Sequence, residues 1–246
     1  MDAGQLAAVL LAVGVGFFTK GVTGIGGPLL AIPVAAAFVG VEHAVAVVAV
    51  PGLMGNLWLM WEHRSEGASL ARLLGVFLAV GTVGAVAGSW LLVSIDERAL
   101  TLALAGSVIL YIVAFLVQPE LHLTDRGAQL MAPPMGLASG LLQGATGISA
   151  PPVVMYMHSI RLPKGAFVFA VSAPFMLFGA VQIVSLASLG VYDRERWIQA
   201  VIACLPLLIA LPLGIRLGRR LSQVTFERMV LALLAVVAAK MIWDNI

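Results

Sequence analysis

Seven polar side chains hold most of the chemistry this sequence offers, because each stands in or beside an otherwise apolar run. Lys20 precedes Gly21-Val22-Thr23-Gly24-Ile25-Gly26-Gly27-Pro28, and Gln143, 123 residues later, precedes Gly144-Ala145-Thr146-Gly147-Ile148-Ser149-Ala150-Pro151. A G-x-T-G-I core and the proline return in register. Glycine and proline interrupt the helical hydrogen-bond ladder, so each copy predicts a broken helix with open backbone amides. At membrane depth such backbone is tolerated only beside protein or a water-filled cavity. Matching breaks in two halves of a chain point to a transporter's substrate site.

The chemistry predicted there is anion binding. A short helix after each break presents unpaired amides and a positive dipole end. Lys20 adds a cation that costs about 2.5 to 3.5 kcal/mol inside a bilayer and therefore faces a cavity, unless its helix ends at the interface and the amine snorkels. Gln143 occupies the matching place with a neutral amide. Thr23, Thr146 and Ser149 offer hydroxyl donors, although a helical threonine can instead bond its own backbone carbonyl. Gly24, Gly26, Gly27 and Gly147 let a ligand approach the backbone. Asn56 and Gln182 are rare polar residues in apolar runs, placed to line the same cavity or to bond between helices. These eleven residues are the candidate substrate site. His43 and His158 stand near segment ends, and Glu42 reads as a solvated loop residue.

Other chemistries are not supported. No His, Cys, Asp or Glu pair has ligand spacing inside the apolar runs, so neither metal nor cofactor is expected. Gly147-Ile148-Ser149-Ala150 has only a superficial likeness to a serine-protease G-x-S-G motif. His158 lies nine residues on in the same short segment, and Gly26 replaces the serine in the other copy. Repetition suits a binding cavity better than a nucleophile, and no catalytic residue is assigned.

The elements that must position these residues are membrane helices. Of 246 residues 61% are hydrophobic and 11% charged, with a mean hydropathy of +1.05. Several uncharged runs reach the roughly 20 residues that cross a bilayer. Lys and Arg fall in short loops, where they act as topology signals, so a nucleic-acid partner is discarded in favour of the lipid bilayer. Cys204 is the single cysteine and reads as a small apolar residue in the middle of its segment. The first apolar stretch, preceded by Asp2 rather than by basic residues, reads as a retained segment and not a cleaved signal.

The pattern predicts segments at 4–20 and 28–40, both too short to span comfortably and so a re-entrant or discontinuous pair. Helices follow at 44–61, interrupted near Pro51, at 70–93 and at 99–117. After a polar connector at 118–129 come the short pair 130–143 and 151–159, then helices at 166–189, 197–217 and 226–243. Pro174 follows Pro51 at the same offset of 123, so the duplication extends past the break. Residues 1–117 and 130–246 form two membrane repeats. Gly84 and Gly88 make a small-xxx-small packing face, answered by Gly214 and Gly218. Arg161, Lys164, Arg216, Arg219, Arg220 and Arg228 place their loops in the cytoplasm. The corresponding first-half loops, with Glu42 and Asp96-Glu97-Arg98, lack that bias, whereas Arg64 and Arg72 lie in the intervening one. The expected fold is an all-α polytopic membrane protein of two inverted structural repeats, each with a broken helix pair followed by three transmembrane helices.

On these residues the chain resembles the TauE/SafE family of sulfite exporters, also described as permeases of the 4-toluene sulfonate type. The resemblance rests on Gly21 to Pro28, the second copy at Gly144 to Pro151, and the duplicated layout of the whole chain. It implies a bacterial or archaeal inner-membrane carrier that exports sulfite, sulfonates or sulfoacetate and draws on the proton gradient. Ser149-Ala150 departs from the glycine-rich pattern of Gly26-Gly27. A passive anion channel and an intramembrane enzyme are the competing readings, and a homodimer is a candidate assembly.

Overall fold

The computed structural model describes residues 1–117, 123–218 and 223–244, with side chains described except at 68, 69, 71–73, 125 and 223–228. Residues 118–122 of the connector, and Arg219 and Arg220 of the loop-charge argument, lie outside the described residues, and the side chains of Arg72 and Arg228 are not described. The described chain is helical, and six of its helical stretches are long and apolar enough to cross a membrane.

The first broken pair is α1 (Ala3–Thr23) and α2 (Gly27–Val39), followed by α3 (Val41–Glu62), α4 (Gly67–Ser94) and α5 (Glu97–Val117). The second is α6 (Asp125–Thr146) and α7 (Ala150–Ser159), followed by α8 (Lys164–Ser188), α9 (Arg194–Ile202), α10 (Cys204–Gly218) and α11 (Gln223–Trp243). Each pair folds back on itself. Gln5 Nε2 donates to Phe38 O at 3.0 Å, and Gly16 is packed so closely on α2 that an added Cβ would collide with Gly27 O. Leu123 N and Tyr156 Oη tie the start of α6 to the end of α7, donating to Ser159 O at 3.2 Å and Ala128 O at 2.9 Å.

Several boundaries differ from expectation. The leading helices are not short: α1 has 21 residues and α6 has 22, about 30 Å each, while α2 and α7 with 13 and 10 are the short members. An Asp2–Gln5 capping box starts α1, and Thr124 Oγ1 accepting from Gly127 N starts α6 early, so residues 125–129 belong to helix rather than connector. Helix α3 runs unbroken through Pro51, since one lost donor does not end a helix held by packing on both sides. The stretch 197–217, expected as one helix, is split at Ala203 into α9 and α10. Pro206 accounts for the split, because it cannot donate to the carbonyl of Ile202. Cys204 therefore starts a helix instead of sitting in mid-segment. It is buried and free, as expected of a small apolar residue.

Packing between the halves is carried by glycine. On α4, Gly81, Gly84 and Gly88 meet Gly136, Gly140 and Gly144 of α6 so closely that a Cβ at Gly84 would lie 2.5 Å from Leu137 O, and one at Gly140 would strike Gly81 O. The answering contact sets Gly214 and Gly218 of α10 against Phe18, Gly21 and Val22 of α1. Each leading helix is thus seated on a glycine face from the other half. Close backbone approach of this kind drives association where lipid offers no hydrophobic gradient.

Polar contacts gather the loops at two ends. At one end Arg196 Nη1 meets Glu42 Oε1 at 2.8 Å, Met1 N meets Glu195 Oε1 at 3.0 Å, and Val41 N donates to Glu97 Oε1 at 2.5 Å. Glu42 is therefore a paired residue in the first turn of α3, not a solvated loop carboxylate. Tyr192, in the turn between α8 and α9, donates to Ala46 O at 2.7 Å, and burial holds its phenol well above the usual range. At the other end Gly165 lies beside Glu66 and His63, and Gly67 lies against the Phe169 ring. These contacts run α3 and α8 antiparallel. Residues 42 and 96–98 fall at one end of the bundle, and 161–164 at the other.

Candidate functional site

Both breaks are built from the same local chemistry. Helix α1 ends on Gly24 at φ 82°, whose N–H donates to Lys20 O at 2.7 Å; α6 ends on Gly147 at φ 71°, whose N–H donates to Gln143 O at 2.8 Å. Left-handed caps of this kind favour glycine. The threonine before each cap pins the turn. Thr23 Oγ1 shares its one proton between Thr19 O and Ile25 O and accepts from Ile25 N, and Thr146 Oγ1 repeats this with Leu142 O, Ile148 O and Ile148 N. Their hydroxyls are spent on the backbone, so Thr23 and Thr146 shape the breaks and do not offer donors to a ligand. Backbone bonding of this type is the alternative that the sequence left open.

The amide supply is unequal. Prolines at the starts of both short helices remove donors, leaving Gly27 and Leu29 in the first turn of α2 but only Ala150 in that of α7, where Pro151 and Pro152 follow. Helix α2 therefore presents more free amides at its N-terminus than α7 does.

Between the breaks lies a cavity of ≈ 30 Å³, measured as the space open to the centre of a water molecule. That is room for about two or three waters. Seven of the eleven candidate residues line it: Lys20, Gly26, Asn56, Gln143, Gly147, Ser149 and Gln182. Gly24, Gly27, Thr23 and Thr146 stand behind it. Five further liners, Leu29, Ile32, Ala49, Gly52 and Phe175, escaped the sequence reading. A signal existed for one of them, since Phe175 follows Gly52 at the repeat offset of 123.

The polar liners are paired within each half. Lys20 sits one turn inside α1, not at the edge of the break, and is 1% exposed. Its Nζ donates to Asn56 Oδ1 at 2.7 Å and lies 5.5 Å from the centre of the Phe175 ring, so it does not reach the interface. Asn56 Nδ2 in turn donates to Gly52 O at 2.8 Å. In the second half Gln143 Nε2 donates to Gln182 Oε1 at 3.1 Å, Ser149 Oγ donates to Gln143 Oε1 at 2.8 Å, and Gln182 Nε2 donates to Gln143 O and Gly144 O. Gln182 has no proton left to give. The donors still unspent are two protons of Lys20 and one each of Asn56 and Gln143. All converge on a space lined by one cation and no carboxylate.

Two histidines lie away from this space. His43 bonds Gln199 Oε1 at 2.7 Å among the loop contacts, and His158, near the end of α7, sets its ring edge-on to Phe167. Among the described residues no group of His, Cys, Asp or Glu is placed to hold a metal ion.

Apolar spans enclosing a cation-lined cavity between two helix breaks define a multi-pass membrane protein with an internal polar site, of the kind that carriers use. The chain belongs to the sulfite exporter TauE/SafE family, whose model matches residues 8–241. Membership implies a membrane exporter of sulfite or a related anion. No curated protein and no solved structure matches the chain individually.

Proposed function

We propose that this chain is a secondary carrier exporting sulfite or a small organosulfonate across the bacterial inner membrane, by alternating access around the two helix breaks and with coupling to protons. One observation carries the reading. Lys20 is buried with a neutral acceptor and an aromatic ring for company, and it belongs to none of the ion pairs among the described residues. An isolated lysine at membrane depth costs about 2.5 to 3.5 kcal/mol, which a bound anion would offset. The cavity's size favours sulfite, or the sulfonate head of a slim substrate, over an aryl sulfonate.

Alternating access fits the way the halves are joined. The antiparallel course of α3 and α8, and the reciprocal seating of α1 on α10 and of α6 on α4, suit two inverted repeats, 1–117 and 130–246, rocking about a fixed site. The test is counterflow in proteoliposomes. Labelled sulfite should enter faster into vesicles preloaded with sulfite than into empty ones, and saturably, while net uptake into empty vesicles should be accompanied by a change of internal pH. Conductive flux without trans-acceleration would make the protein a channel, and absence of any sulfite flux would defeat the reading.

A further inference from the structure

One buried hydroxyl is unaccounted for. Ser172, on α8, is 1% exposed, and its Oγ is the only buried side-chain polar atom without a hydrogen-bond partner among the described residues. Other buried hydroxyls in this molecule turn back to the carbonyl four residues earlier, as Thr19, Ser89, Ser107 and Ser139 do at 2.6 to 2.9 Å. Ser172 does not. Native structures leave few such groups unsatisfied, and each one asks for a cause.

Its place on the helix supplies one. Val168, Ser172 and Phe175 are spaced i, i+4 and i+7 and so share a face. Val168 lies against the first break, its Cγ2 4.0 Å from where a Cβ on Gly24 would be, and Phe175 lies under Lys20 Nζ. Ser172 stands between them. The first half of the molecule shows what this position does at the other break, because Val45, 123 residues before Val168, lies against Gly147, and Ala49, one turn on, lines the cavity. Ser172 is the counterpart of Ala49. At the second break the hydroxyl comes from Ser149 and is spent on Gln143 Oε1. At the first break Gly26 stands in that place, and the hydroxyl offered by α8 is unspent.

We propose that Ser172 is a ligand of the transported anion at the first break, donating its hydroxyl to an oxygen of a small oxyanion held by Lys20 Nζ and the Leu29 amide of α2. This rests on the anion-carrier reading and extends it. The first break then grips the anion with a cation, an amide and a hydroxyl. The second break, locked by its own glutamines, serves as the rigid wall.

The test uses the full chain purified in detergent, titrated with sodium sulfite by calorimetry and followed by thermal unfolding. Ser172→Ala deletes a hydroxyl that has no partner in the protein, so unfolding without sulfite should stay where it is or move up, while sulfite binding weakens about tenfold or more. Ser172→Thr, which keeps the hydroxyl, should retain most of the affinity. Ser139→Ala is the control: it removes a hydroxyl bonded to Met135 O and should lower the unfolding temperature without changing the sulfite affinity. Wild-type affinity in Ser172→Ala, or a loss of stability as large as in Ser139→Ala, would overturn the assignment. Failure of the wild type itself to bind sulfite would bring down the carrier reading and this assignment with it, which separates that failure from an error at Ser172 alone.

Discussion

Lys20 Nζ donates to Asn56 Oδ1 across 2.7 Å, joining the first broken helix to the helix that follows its hairpin. The amine has no carboxylate beside it, so the bond fixes where the cation stands without cancelling its charge. A neutral partner of this kind leaves the electrostatic demand to be met by a ligand.

Asn56→Ala should therefore destabilise the empty protein by about 1 to 3 kcal/mol, because it leaves a buried ammonium without its acceptor. Combining it with Lys20→Met should recover part of that loss. Thermal unfolding of the two single variants and the double variant gives the coupling, expected between about 0.5 and 3 kcal/mol. Strict additivity would mean that the bond contributes nothing.

Glycines divide sharply by what surrounds them. Gly140→Val drives a side chain into the Gly81 backbone and should cost about 3 kcal/mol or abolish the folded protein. Gly106→Ala, where nothing lies within 4 Å of the new methyl, should be neutral or stabilise by up to about 1 kcal/mol through helix propensity. Unfolding temperature in one detergent checks both, and equal effects would contradict the glycine-on-glycine packing.

Gly179 is buried, yet an added Cβ would meet nothing within 4 Å. It follows Asn56 at the repeat offset and shares a face of α8 with Phe175 and Gln182, both cavity liners. Gly179→Leu should fill that space, leaving folding intact while slowing sulfite flux at least about tenfold. Unimpaired flux would mean that the open space is unconnected with the path.

The breaks were readable from residue order alone, because a glycine-rich motif that returns in register has few other uses in an apolar chain. Membrane class was readable from composition. Helix lengths around the breaks were not, since the backbone cap at Gly24 that carries α1 to Thr23 and the Thr124 side-chain cap that starts α6 at Asp125 are local bonds that hydropathy does not register. Thr23 and Thr146 show the same limit, as a hydroxyl in a motif looks alike whether it faces a ligand or its own helix. Ser172 was passed over because it lies outside the motif, in a run of ordinary helix. Its unpartnered hydroxyl, and the repeat offset applied to Ala49 once that residue was seen at the cavity, single it out.

The two clusters of loop contacts set which loops share an end of the bundle, and the loop charges set the side expected for each end. In a Cys204→Ser background, cysteines at 42 and 97 should react with an impermeant maleimide from the periplasm, and cysteines at 161 and 164 only after the membrane is opened. Reaction of positions 97 and 164 from the same side would contradict inverted repeats.

The central claim is that the buried charge of Lys20 is kept for an anion, and Lys20→Met tests it most directly when sulfite protection is read by thermal unfolding. Without sulfite the variant should be as stable as the wild type or more so, because an uncompensated cation has left the apolar interior. With sulfite the wild type should gain stability by mass action, about 2.7 kcal/mol at a hundredfold excess over its Kd, and the variant should gain none. Undiminished sulfite protection in Lys20→Met would contradict the account, since the anion would then be held without the cation around which the cavity is arranged.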